Sequence, residues 1–102
     1  MAEWSFLTNH ARALLLIAHD PQSRLRDLAA ALDITERSAY RIVADLTEAG
    51  YVLKLRDGRR NHYELQTHLP IGEPVARDRT VGEMLDLLTD PKRRPKARPR
   101  RA

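Results

Sequence analysis

Arg37, Ser38, Tyr40 and Arg41 fall within five consecutive residues, and each side chain ends in a hydrogen-bond donor. An arginine presents a planar fork that bonds two acceptors at once, on a guanine edge or on a phosphate. Serine and tyrosine hydroxyls reach the same kinds of oxygen singly. A second cluster follows, with Arg56, Arg59 and Arg60 crowded around Asp57-Gly58. Two such clusters can grip a polyanion if the chain brings them to one surface.

The stretch LRDLAAALDITERSAYRIVADLTEAG, residues 25–50, is what must position the first cluster. Leu25, Leu28, Ala29 and Leu32 recur at helical spacing. The pattern breaks at Asp33-Ile34-Thr35, where Thr35 is a good N-cap and Glu36 suits the positive end of a helix dipole. A second helix follows with Ala39, Ile42, Val43 and Leu46 inward, and Gly50 closes it. Its spare face carries Arg37, Ser38, Tyr40 and Arg41 near the N-terminus, where a recognition helix presents side chains to a major groove. Plainer readings stand beside this one. Arg41 lies four residues before Asp45, the spacing of an intrahelical ion pair, and Tyr40 can pack on whatever follows.

After Gly50 the period changes from helix to strand. Tyr51, Leu53 and Leu55 alternate with Val52, Lys54 and Arg56 up to Asp57-Gly58, a strong hairpin signal. Residues 61–65 form the return strand, with Tyr63 and Leu65 on its apolar face. An arginine-tipped hairpin directly after such a helix is a wing; a solvated tip is the plain alternative for Arg59 and Arg60, and Asp57 reads as turn chemistry.

Elsewhere the chain supplies support. Trp4 and Phe6 precede a helix capped by Thr8 and running from Asn9 to His19. Ala11, Leu14, Leu15 and Ala18 make its inward stripe, widened by Leu16 and Ile17, and Asp20-Pro21 ends it. Ser23 is an alternative cap for the next helix, and a very short strand fits just before it. Residues 68–74 read as an extended connector. Thr80-Val81-Gly82-Glu83 is a capping box opening a short helix whose apolar stripe is Val81, Met84, Leu85 and Leu88. So short a helix is marginal alone and must dock, either on the first helix of its own chain or across a two-fold on a partner. The second option makes Leu16, Val81, Met84, Leu85 and Leu88 the dimerisation residues.

With these segments in order, residues 8–66 resemble the winged helix-turn-helix of MarR/ArsR-type prokaryotic transcriptional regulators. The segments that carry the likeness are LRDLAAALDITERSAYRIVADLTEAGYV and the wing LKLRDGRRNHYEL. The nearest pattern is that of small one-domain regulators with an ITER-RIVADL-EAGY core and a GRRNHY wing. One departure is Asp33, at a turn position usually held by glycine. The resemblance implies that Arg37, Ser38, Tyr40 and Arg41 read the major groove while Arg59 and Arg60 touch phosphate or minor groove. It also implies a dimer joined through terminal helices.

Charge alone does not carry that reading. The formal net charge is +4, yet residues 91–102 hold seven Lys/Arg and no acid. The remaining ninety residues hold eleven Lys/Arg against fourteen Asp/Glu and are net acidic. The tail PKRRPKARPRRA, with proline at 91, 95 and 99, has the composition of a disordered segment. It reads either as a solubilising end or as an arm adding phosphate contacts. There is no cysteine, so disulfide and thiolate-metal chemistry are excluded. His10, His19, His62 and His68 lack two-ligand spacing on a helix face, and no nucleophile-base set or phosphate loop is present. The longest apolar run, Ala13 to Ala18, is far short of a membrane span, and the N-terminus lacks a basic signal region.

The expectation is a mostly α, α+β winged helix-turn-helix with a three-helix core, a two-stranded wing and an extra C-terminal helix. Residues 1–67 form the DNA-binding domain, 68–90 the connector and last helix, and 91–102 the basic tail. The expected function is sequence-specific double-stranded DNA binding by a transcriptional regulator, not an enzyme, acting as a homodimer in the cytoplasm at the nucleoid. Arg37, Ser38, Tyr40, Arg41, Arg56, Arg59 and Arg60 carry the binding. No metal, cofactor or membrane is implied, and no small-molecule effector is specified. Two alternatives remain: a winged helix that docks on a protein, and non-specific DNA binding driven by the tail.

Overall fold

The computed structural model describes residues 4–58 and 60–89. The elements are α1 (Asn9–His19), α2 (Leu25–Leu32), α3 (Glu36–Glu48), β1 (Val52–Asp57), β2 (Arg60–Leu65), a single 3-10 turn (Pro74–Ala76) and α4 (Val81–Leu88). This is the winged helix-turn-helix expected: a helical core, a two-stranded antiparallel wing and a last helix. Among the described residues no helix is long and apolar enough to cross a membrane.

Local chemistry places the boundaries. The Thr8 hydroxyl accepts the Ala11 N–H at 3.1 Å, and the Thr35 hydroxyl accepts the Ser38 N–H at 3.0 Å, each capping its helix. At the start of α2 the cap is Arg24 rather than Ser23, its N–H donating to the Asp27 carboxylate at 3.0 Å. Asp33 sits in the left-handed region at φ 61°, the conformation the turn demands and one that aspartate tolerates better than most side chains. Among the described residues no strand forms before α2, but the Tyr63 N–H donates to the Pro21 carbonyl at 2.9 Å, holding that segment against β2.

One core gathers all four helices and the wing root. Ala39, Ile42, Val43 and Leu46 are buried from α3, and Leu28, Ala29 and Leu32 from α2, with Leu25 half-buried. In α1 the inward face is centred on Ala13, Leu14 and Ile17; Leu15, Leu16 and Ala18 only flank it. Ile17 has no exposed surface, because α2, α3, α4 and β2 all contact this helix and its cover comes from several sides.

The wing turns a particular face inward. Its register pairs Val52 with Leu65, Lys54 with Tyr63 and Arg56 with Asn61. Val52 is wholly buried and Tyr63 nearly so, whereas Leu53 and Leu55 remain 43% and 37% exposed. Of the two alternating sets in β1, the core takes that of Val52, whose face continues outward into the exposed Lys54 and Arg56. The return strand decides this, since its inward residues Tyr63 and Leu65 outweigh His62 and Glu64 in apolar area.

α4 docks on α1 of the same chain, burying Val81 and Leu85. Of the five residues expected at a subunit contact, these two are occupied inside the chain. Leu16 and Met84 are half-buried against the core, and Leu88 stays exposed. The helix is stitched down at its start by the Val81 N–H donating to the Leu69 carbonyl (2.8 Å) and the Gly82 N–H to the Thr67 carbonyl (2.9 Å). A Cβ on Gly82 would lie 2.8 Å from the Thr67 Cβ and 3.0 Å from its carbonyl oxygen. Gly82→Ala should therefore lower stability by roughly 1–3 kcal/mol in denaturant unfolding; an unchanged midpoint would mean that α4 is not seated on Thr67.

Glu83 completes the expected capping box, its carboxylate accepting the Thr80 N–H at 2.9 Å and an Arg79 guanidinium N–H at 3.1 Å. The Thr80 backbone hydrogen bond, helped by Arg79, holds its carboxyl below the ordinary carboxylate range. A depressed pKa contributes stability above the unfolded-state value, and that contribution is lost as pH falls through the folded-state value. The wild type should thus exceed Glu83→Gln in unfolding midpoint at neutral pH, the two converging in acid. Parallel curves would contradict a stabilising role for the carboxylate.

Candidate nucleic-acid interface

The two helices of the turn place α3 with one face in the core and the opposite face free. Arg37, Ser38, Tyr40 and Arg41 are all exposed on that free face, as their spacing predicts. Neither arginine has an ion pair or hydrogen bond among the described residues. Asp45, the candidate partner of Arg41, is taken instead by His10: its Oδ2 lies 2.8 Å from the His10 Nε2, tying α1 to α3. The intrahelical pair is replaced by an interhelical one, and both guanidiniums stay available.

Ser38 has a double duty. Its Oγ accepts from the Thr35 hydroxyl at 3.1 Å while its own hydroxyl hydrogen stays free for an outside acceptor. Tyr40 answers both readings of its role. It is 58% exposed, yet it lines a cleft that also contains Lys54 and Tyr63 of the wing.

From the wing, Arg56 is exposed, and its Nε makes a long 3.5 Å contact to the Gly58 carbonyl. It shares the Val52 face with Lys54, which sequence reasoning did not select. The available signal was the two-residue period Val52–Lys54–Arg56, read together with the apolar Tyr63 and Leu65 opposite. Arg60 opens β2 opposite Asp57. Arg59 and the basic tail lie outside the described residues. Arg37 and Arg41 of α3 and Lys54 and Arg56 of the wing are all exposed cationic donors of the kind that suit an extended polyanion. Among the described residues no group of three or more His, Cys, Asp or Glu is gathered as a metal site would require.

Residues 7–56, just under half of the chain, match the family model of the IclR helix-turn-helix domain. That span runs through α1, α2 and α3 and most of β1. No curated protein matches the chain. A solved structure to which it is similar is the zinc-dependent MarR family transcriptional regulator AdcR in its Zn(II)-bound state. That match has 20% sequence identity and a TM-score of 0.47, covering 76% of this chain and 53% of that one. The chain thus spans about half the length of that regulator. The family match and the element order agree on a winged helix-turn-helix fold.

Because Arg37 and Arg41 make no hydrogen bond or ion pair among the described residues, the double substitution to alanine should move unfolding free energy by less than about 1 kcal/mol. A larger loss in chemical denaturation would show that the pair supports the structure.

Proposed function

We propose that this protein is a sequence-specific double-stranded DNA-binding regulator, with α3 in the major groove and the 51–65 wing on the flanking backbone or minor groove. The observation that carries the reading is the pair of unpartnered guanidiniums on the exposed N-terminal half of α3. Lys54 and Arg56 support it, aligned on the wing face that packs toward the core. Arg37 and Arg41 are the proposed base or phosphate contacts, Tyr40 and Ser38 add donors between them, and Arg59 and Arg60 extend the grip at the wing tip. A homodimer belongs to the proposal and would read two half-sites about one helical turn apart. Leu87 and Leu88 of α4, 83% and 42% exposed, are apolar groups left for the second copy. The cytoplasm is the compartment this role requires.

The charge partition favours one further contribution, sequence-independent phosphate contacts from residues 91–102. Selection of duplexes from a randomised pool, followed by anisotropy titrations, tests both. The full chain should yield a consensus, and Arg41→Ala should weaken binding to it by roughly 1–3 kcal/mol and relax preference at one position. Deleting residues 91–102 should keep that consensus while flattening the log-affinity slope against log salt by up to about 6. Absence of any consensus, or its disappearance with the tail, would overturn the reading.

A further inference from the structure

His10 stands three and four residues ahead of the buried Ala13 and Leu14, so it continues the inward stripe of α1 by one turn. At that end of the helix the stripe meets α3, where Oδ2 of Asp45 lies 2.8 Å from the His10 Nε2. The pair stays accessible, with side-chain exposures of 46% and 58%. Asp45 also lies four residues after Arg41, so one carboxylate stands between two donors, one from α1 and one from its own helix. The structure holds it on His10, and Arg41 has no hydrogen bond or ion pair among the described residues.

The two donors differ in how they titrate. A guanidinium keeps its charge at any working pH, whereas an imidazole gains or loses its charge between about pH 5 and 8. A carboxylate only accepts, so the contact requires a proton on Nε2 in either charge state of His10. What changes is the charge behind that proton. A charged donor makes roughly twice as strong a hydrogen bond as a neutral one. Once the imidazole is neutral, Arg41 is the stronger claimant for Asp45. The other charged groups on these two helices are Glu36, Arg37 and Glu48 of α3, and His19 and Arg12 of α1, the last donating to the Asn9 side chain at 3.1 Å. The remaining elements packed on α1 carry Arg26 and Asp27 (α2), Glu83 and Asp86 (α4), and Arg60, His62, Tyr63 and Glu64 (β2). Neither His10 nor Asp45 makes any other hydrogen bond or ion pair among the described residues.

We propose that His10 is a pH-sensitive positioning residue for α3, controlling which side chain Asp45 occupies. Protonated, it holds the carboxylate on the α1 side and leaves the Arg41 guanidinium free. Neutral, it yields the carboxylate to Arg41, which folds back along α3 into an i,i+4 pair. An exposed pair of that kind shifts an equilibrium by a factor of about 2. The consequence for DNA rests on the function proposed above: duplex binding weakens as pH rises through the histidine range. The exchange of Asp45 between its two partners does not rest on that reading, and it is followed without DNA.

The test uses the ¹³C,¹⁵N-labelled full chain, with the Arg41 Nε and Cζ shifts followed between about pH 6 and about pH 8. In the wild type they should move together with the His10 ring signals. They should hold still in Asp45→Asn, and in His10→Gln, whose neutral amide cannot charge, they should stay near the wild type's alkaline position. Both sites are exposed, so these variants should keep the fold. An Arg41 that ignores the His10 titration, or follows it equally in Asp45→Asn, would overturn the proposal whether or not the chain binds DNA. On a selected duplex at constant ionic strength, wild-type affinity should fall by roughly 2- to 3-fold over the same range. Asp45→Asn should stay tight and His10→Gln weak at both ends. An equal fall in Asp45→Asn would assign the effect to the charge of His10 itself and would also overturn the proposal. A normal Arg41 response with no duplex consensus at either pH would instead contradict the DNA-binding reading and leave the exchange established.

Discussion

The burial of Val52 sets the geometry of the wing. Strand side chains alternate, so a valine with no exposed surface commits Lys54 and Arg56 to the same face of the wing. A one-residue slip in register would turn that face outward, presenting Leu53 and Leu55 to the core and carrying both cations to the far side. Tyr63 and Leu65 oppose such a slip from the other strand, because they would lose their own contacts. The position of two charges therefore follows from apolar packing at the wing root.

The same economy operates in α3. Its inward face, Ala39, Ile42, Val43 and Leu46, is core, and helical periodicity then leaves Arg37, Tyr40 and Arg41 no place except the outside. The turn before it depends on Asp33 in the left-handed region and on Thr35 as cap, with Ser38 closing the cap from within the cationic cluster. His10 fixes the helix from α1 through Asp45, and in doing so keeps that carboxylate away from Arg41. Fold and site are thus built from alternate faces of one helix.

Much of this was legible in the sequence, and the reasons are physical. α2 and α3 carry strong helical periodicity and Thr35 is a clear cap for α3, so the helix-turn-helix, its buried residues and its exposed cluster could all be read from spacing. The Thr80–Glu83 capping box announced α4 equally well. Weaker signals failed where the decision lay in tertiary structure. In α1 six consecutive apolar residues carry almost no periodicity, and it is the packing of α2, α3, α4 and β2 around the helix that leaves Ala13, Leu14 and Ile17 at its centre. Lys54 was overlooked because β1 alone offers two plausible faces, and the choice is made by β2. The destination of α4 was open for a similar reason: an amphipathic stripe states that a helix docks without saying on what. Val81 and Leu85 find α1, and the close approach of Gly82 to Thr67 makes the seat specific.

The net acidity of residues 1–90 means that the proposed DNA affinity must come from local placement of cations rather than from overall charge. The most direct measurement is the set of backbone amide shifts in the labelled full chain when a duplex carrying its selected site is added. Shifts concentrated between Arg37 and Ala44 and along Leu53 to Arg56 are the result predicted for a surface shared by helix and wing. Shifts confined to residues 91–102, with α3 and β1 unmoved, would contradict it.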